Sequence, residues 1–93
     1  MMWKVESFRE SDDGLEWEIY LVSATRAALE EELGFSMPTP DGYPISGEQV
    51  RRLAKFARPG ALDGKVLDDE RFAFFVEAVA DKPGDTYDEV GFF

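Results

Sequence analysis

From Leu15 to Val22 the chain reads as an alternation. Leu15, Trp17, Ile19 and Leu21 take every second place, with Glu16, Glu18, Tyr20 and Val22 between them. A period of two is what a strand with one buried face produces. Trp3 to Arg9 continues the theme, and Asp12-Asp13-Gly14 lies between the two runs. A three-residue hairpin loop with Gly14 in the left-handed region is expected there. That register sets Val5 against Leu21, Ser7 against Ile19 and Arg9 against Trp17. It gathers Trp3, Val5, Trp17, Ile19 and Leu21 on one face, and a slip of one residue would scatter them. Lys4, Glu6, Phe8, Glu18, Tyr20 and Val22 fall on the other.

The period then changes. Ala24 to Leu33 predicts a first helix with a narrow stripe of Leu29 and Leu33, Ser23 as N-cap and Gly34 just past its end. Phe35 to Pro44 holds Pro38, Pro40, Gly42 and Pro44 and predicts a loop. Ser46 and Gln49 have capping-box spacing, and Val50, Leu53, Ala54 and Ala57 recur at i, i+3, i+4 and i+7. A second helix is therefore expected, ending at Pro59-Gly60. A third is expected over Asp69 to Ala80, with Asp68 as N-cap and Phe72, Phe75, Val76 and Val79 facing the core. The C-terminal stretch DTYDEVGFF reads either as a closing third strand, which the pattern favours, or as a docking peptide. The expected architecture is a single small α+β domain spanning residues 1–93, in the order β-β-α-α-α-(β).

Composition supports a folded chain: 93 residues, 44% hydrophobic and 14% aromatic. The start, MMWKVESFRE, has no apolar run behind basic residues, so neither a signal peptide nor a membrane span is expected and cytoplasm is the default. Twenty acids against ten bases give a net charge of −10, which disfavours nucleic acid and anionic membranes and favours basic partners. Cys and His are both absent, which removes the usual zinc ligands, thiol nucleophiles and the commonest general base. The serines lie in no nucleophile elbow, the glycines form no phosphate loop, and the acid pairs Asp12-Asp13, Asp68-Asp69 and Asp88-Glu89 lack calcium-loop spacing. No catalytic residue, cofactor or metal is expected.

Two features stand out against the plain reading of a well-solvated surface. Glu30-Glu31-Glu32 occupies the last turn of the first helix, where the helix dipole disfavours acids. Those acids either pair with Arg51, Arg52 and Lys55 of the second helix or serve a working surface. Phe74 points away from the expected helical core stripe and is either covered by the terminal Phe92 and Phe93 or exposed as an anchor. The resulting expectation is a small acidic, non-enzymatic protein that masks a basic protein surface, a nuclease or another nucleic-acid-binding protein among the options. Immunity proteins, antitoxins and phage anti-defence proteins act in this manner. The candidate partner-binding set is Asp12, Asp13, Glu16, Glu18, Glu30, Glu31 and Glu32 for steering, with Phe8, Tyr20 and Phe74 as apolar anchors. The alternative is an accessory domain that forms homo-oligomers through its tail or hairpin edge.

Overall fold

The computed structural model describes residues 2–39 and 41–79. The expected closing strand at 85–93, and the cover that Phe92 and Phe93 would give Phe74, lie outside them. The described chain is α+β. Strands β1 (Met2–Arg9), β2 (Leu15–Leu21), β3 (Tyr43–Ile45) and β4 (Phe72–Val79) form an antiparallel sheet in the order β2-β1-β4-β3. Helices α1 (Arg26–Leu33) and α2 (Gly47–Leu53) supply the second layer, and a 3-10 turn at Ala54–Phe56 extends α2. Leu29 and Leu33 of α1 and Val50 and Leu53 of α2 meet Trp3, Val5, Ile19, Leu21, Phe72, Phe74 and Val76 of the sheet in one core.

The hairpin is present, but its register differs from the expected one by two residues: Trp3 faces Leu21, Val5 faces Ile19 and Ser7 faces Trp17. A shift of two leaves every side chain on its expected face, so hydrophobic alternation cannot distinguish the two pairings. A bulge decides between them. The register breaks between Ser7 and Phe8, so Phe8 faces Leu15 with Glu16 as the extra residue. Leu15 thereby moves to the face of Phe8 and stands 45% exposed. The turn is correspondingly longer than three residues. Asp13, at φ 59°, takes the left-handed position instead of Gly14. Aspartate tolerates that region better than most side chains. A Cβ at Gly14 would meet the end of the flexible Arg9 side chain, which would have to move aside.

The third helix is corrected to strand β4. FAFFVEAV is so apolar that it satisfies the helical spacing Phe72, Phe75, Val76, Val79 as well as the period of two. Adjacent Phe and Val favour the extended chain, and pairing with β1 over all eight positions settles the matter. Phe72, Phe74 and Val76 turn inward. Asp68 therefore caps no helix; its carboxylate accepts from the Glu70 N–H at 2.9 Å in the turn that feeds β4.

Within the expected 35–44 loop, Tyr43-Pro44-Ile45 forms the short edge strand β3, the place where a sheet tolerates proline. Met37 of the same stretch is fully buried. Thr25, not Ser23, caps α1, its Oγ1 accepting from Ala28 N–H at 3.1 Å; Ser23 instead donates to the Phe56 carbonyl. Gly34 ends α1 in the left-handed conformation and Ser46-Gln49 forms a full capping box, both as expected. Gly47 is buried at the start of α2. Its N–H donates to Asp69 Oδ1 at 2.8 Å, and a Cβ there would strike the Leu67 carbonyl.

Candidate functional site

Two groups of acids follow from the hairpin. At its tip Arg9 serves both Asp12 and Glu16, with Nε 3.1 Å from Asp12 Oδ1 and Nη1 2.8 Å from Glu16 Oε1. Asp12 Oδ1 also accepts from Gly14 N–H at 2.9 Å. That backbone bond, and then Arg9, hold the Asp12 carboxyl below its ordinary value. Asp13 is exposed beside it. Glu10 N–H donates to the Arg71 carbonyl at 2.9 Å, tying the tip to the start of β4. An open depression of about 550 Å³ lies at this junction, over Phe72 and between Arg9, Glu10, Glu16, Glu70 and Arg71.

The second group occupies the sheet face that carries Lys4, Glu6, Phe8, Glu18, Tyr20, Phe75 and Glu77. Neither described helix packs on this face; the core lies on the other side. Lys4 Nζ is 3.0 Å from Glu18 Oε1 and 3.2 Å from Glu6 Oε2. Burial pulls the Lys4 ammonium down, but the hydrogen bonds to Glu18 and Glu6 outweigh it and raise its affinity for the proton. Glu77 faces Lys4 from β4. Its carboxyl is raised, first by burial and then by a hydrogen bond and like-charge contact with Glu6. Glu6 and Glu18 thus share one ammonium, with Glu77 hydrogen-bonded to Glu6 beside them, and the described residues of this face keep an excess of negative charge.

The remaining predicted residues divide. Phe8 packs edge-on against Phe75, their centroids 5.9 Å apart, and Tyr20 lies half-buried opposite Lys4. Phe74 is corrected: at 1% exposure, with Trp17 and Phe72 against its ring, it is core and unavailable to a partner. The glutamate triplet splits three ways. Glu30 Oε2 accepts from Met37 N–H at 2.6 Å and anchors the loop after α1. Glu32 Oε1 lies 2.7 Å from Lys55 Nζ, and that bond holds the Glu32 carboxyl low, with Arg52 adding a weaker pull. Glu31 is exposed. Asp12, Asp13, Glu16 and Glu18 therefore line the hairpin, whereas Glu30 and Glu32 are spent largely inside the fold.

Glu6, Glu77 and Lys4 are absent from the predicted set. The alternation placed Glu6 and Lys4 beside Glu18, but Glu77 is unreachable while its segment is read as a helix. Among the described residues no three acids converge as a metal-ligand set, and no helix is long and apolar enough to cross a membrane. No protein family, curated protein or solved structure matches the chain.

Proposed function

We propose that this chain is a non-enzymatic binder that covers a basic surface on another protein, using the acids of its hairpin and of the adjoining sheet face. The observation that carries the reading is the charge excess along β1 and β2. Asp12 and Glu16 share Arg9, Asp13 stands exposed beside them, Glu6 and Glu18 share Lys4, and Glu77 of the neighbouring β4 adjoins Glu6. Such a stripe accelerates encounter with a basic patch and competes with polyanions for it. Leu15, Phe8 and Phe75 supply apolar area beside the charges. An inhibitor of the immunity-protein or antitoxin kind has these properties.

Affinity capture from the source cells at low salt, run beside a variant carrying Asp12→Asn, Glu16→Gln and Glu18→Gln, tests this. A basic protein retained by the native chain, lost with the variant and lost in high salt is the expected result. Capture that is indifferent to the three substitutions would sink the proposal.

A further inference from the structure

Aspartate followed directly by glycine occurs three times in the sequence, at Asp13-Gly14, Asp41-Gly42 and Asp63-Gly64. The pair carries a chemistry of its own. Glycine has no side chain to shield its backbone nitrogen, so that nitrogen can reach the γ-carbon of the preceding carboxyl group. All three aspartates are exposed. The fold restrains two of the pairs and leaves the third. At the hairpin tip Gly14 N–H donates to Asp12 Oδ1 at 2.9 Å, and Asp13 N–H and the Gly14 carbonyl are both bonded to the Arg9 backbone at 2.8 Å. The Asp41 carboxylate accepts from Thr39 Oγ1 at 3.0 Å, and a Cβ on Gly42 would touch Glu77 and Phe75. Asp63-Gly64 forms the middle of a turn closed by Lys65 N–H donating to the Leu62 carbonyl at 3.0 Å. Among the described residues neither the Asp63 carboxylate nor the Gly64 N–H has a hydrogen-bond partner. Nothing lies within 4 Å of where a Gly64 Cβ would stand. A surface turn opens locally at low free energy, which lets Asp63 reach the attacking geometry.

We infer that the fold directs spontaneous aspartate isomerisation to Asp63-Gly64, making this turn the chain's site of isoaspartate formation. The Gly64 nitrogen attacks Asp63 Cγ. A C–N bond forms as the Cγ–O bond breaks, and the nitrogen's proton leaves with the carboxyl's hydroxyl as one water. Water then adds back to the cyclic imide. Opening at the Asp63 main-chain carbonyl routes the backbone through Cβ and Cγ and frees an α-carboxylate. Composition is unchanged, and water is the one co-reactant. The product is one main-chain carbon longer between Leu62 and Lys65. Leu62 and Leu67 pack against the core on either side, and the Leu67 carbonyl sits tightly over Gly47, so the added length falls on the turn. Lys65, whose ammonium lies 5.9 Å from the Trp17 ring, is displaced with it. The isomerised chain should therefore melt lower and show altered tryptophan emission.

The sequence makes the test direct. Cleavage after Lys and Arg, with the Arg58-Pro59 bond resistant, places the three pairs on separate peptides, 10–26, 27–51 and 56–65. Asparagine is absent, so deamidation adds no isoaspartate of its own. The full chain is held in mildly acidic buffer below its melting temperature, digested, and scored by enzymatic methyl transfer to isoaspartate and by fragmentation. Peptide 56–65 should accumulate isoaspartate first, severalfold ahead of the other two, with a transient species lighter by one water. In urea the restraints at Gly14 and Asp41 are gone, and the three peptides should accumulate it alike. Asp63→Glu keeps the charge but would need a six-membered ring; it should leave 56–65 unmodified and the melting temperature constant during storage. Isoaspartate appearing first in 10–26 or 27–51 of the native chain would overturn the inference. So would a native 56–65 that stays unmodified, or the same selectivity in urea as in the folded chain.

Discussion

Ser7 sits on the core face of β1, fully enclosed, with its hydroxyl unpaired; its cross-strand neighbour Trp17 likewise keeps a buried, unpaired Nε1. A buried polar group without a partner costs stability, so its removal should not. Ser7→Ala is expected to leave the melting temperature unchanged or to raise it by the equivalent of about 1 kcal/mol. A loss of that size in thermal melting would mean that the hydroxyl is held by an ordered water. Glu77 presents the same question for a charge. Its carboxyl is raised above the ordinary 4.5 by burial and by Glu6. The folded chain therefore binds this proton more tightly than the unfolded chain does. The associated stabilisation is complete below 4.5 and disappears as pH rises through the folded value. Glu77→Gln should consequently stabilise the chain at pH 7, by roughly 0.2–1 kcal/mol for a like-charge contact across strands. Urea titrations across pH check the sign: the gain must shrink as the solution is acidified and vanish below the ordinary glutamate range.

At the scale of the element, two end signals were legible, whereas Ser23 and Asp68, expected as N-caps, cap no helix. Ser46 with Gln49, and Gly34 after α1, carry their signals within four residues, and both ends form as read. Strand β4 was not legible by period, because Phe72 to Val79 is apolar at nearly every place and either repeat finds a face. The hairpin register escaped for the opposite reason. Alternation fixes the face but not the partner, and the bulge at Ser7 and Phe8 leaves no mark in a pattern of period two. Helix α1 offers a test of what pattern alone left open. Three adjacent glutamates share its last turn, which holds no basic residue. Glu31→Lys removes an exposed acid from the negative end of the dipole and should stabilise the fold by about 0.3–1 kcal/mol. Glu30→Gln weakens the acceptor for Met37 N–H, and Glu32→Gln loses Lys55, so both should destabilise. Chemical denaturation of the three variants reads this directly. A uniform response would show that position along the dipole outweighs the individual partners.

For the molecule as a whole, the candidate site was legible in sign but not in membership. Net charge announced an acidic surface, yet only the sheet reveals that Glu77 bonds to Glu6 beside the Lys4 pairs and that Phe74 belongs to the core. The same charge sets the response of the fold to salt. Ion pairs such as Arg9–Glu16 and Lys55–Glu32 are solvent-screened and contribute little each. Against them stand ten uncompensated negative charges on a 93-residue chain, whose mutual repulsion is greater in the folded state because folding draws them together. Salt weakens both terms, but repulsion among so many charges acts over distances longer than one ion pair and is the part screened once the Debye length falls below about 10 Å. Sodium chloride should therefore raise the melting temperature by a few degrees between about 10 and 300 mM, with most of the rise in the lower half of that range. The attraction to a basic partner has the opposite sign and should weaken over the same interval. Calorimetry of the free chain beside binding isotherms at matched salt separates the two. A melting temperature that fell with salt would show that the local pairs around Lys4 and Arg9, not the net charge, govern the electrostatics of this fold.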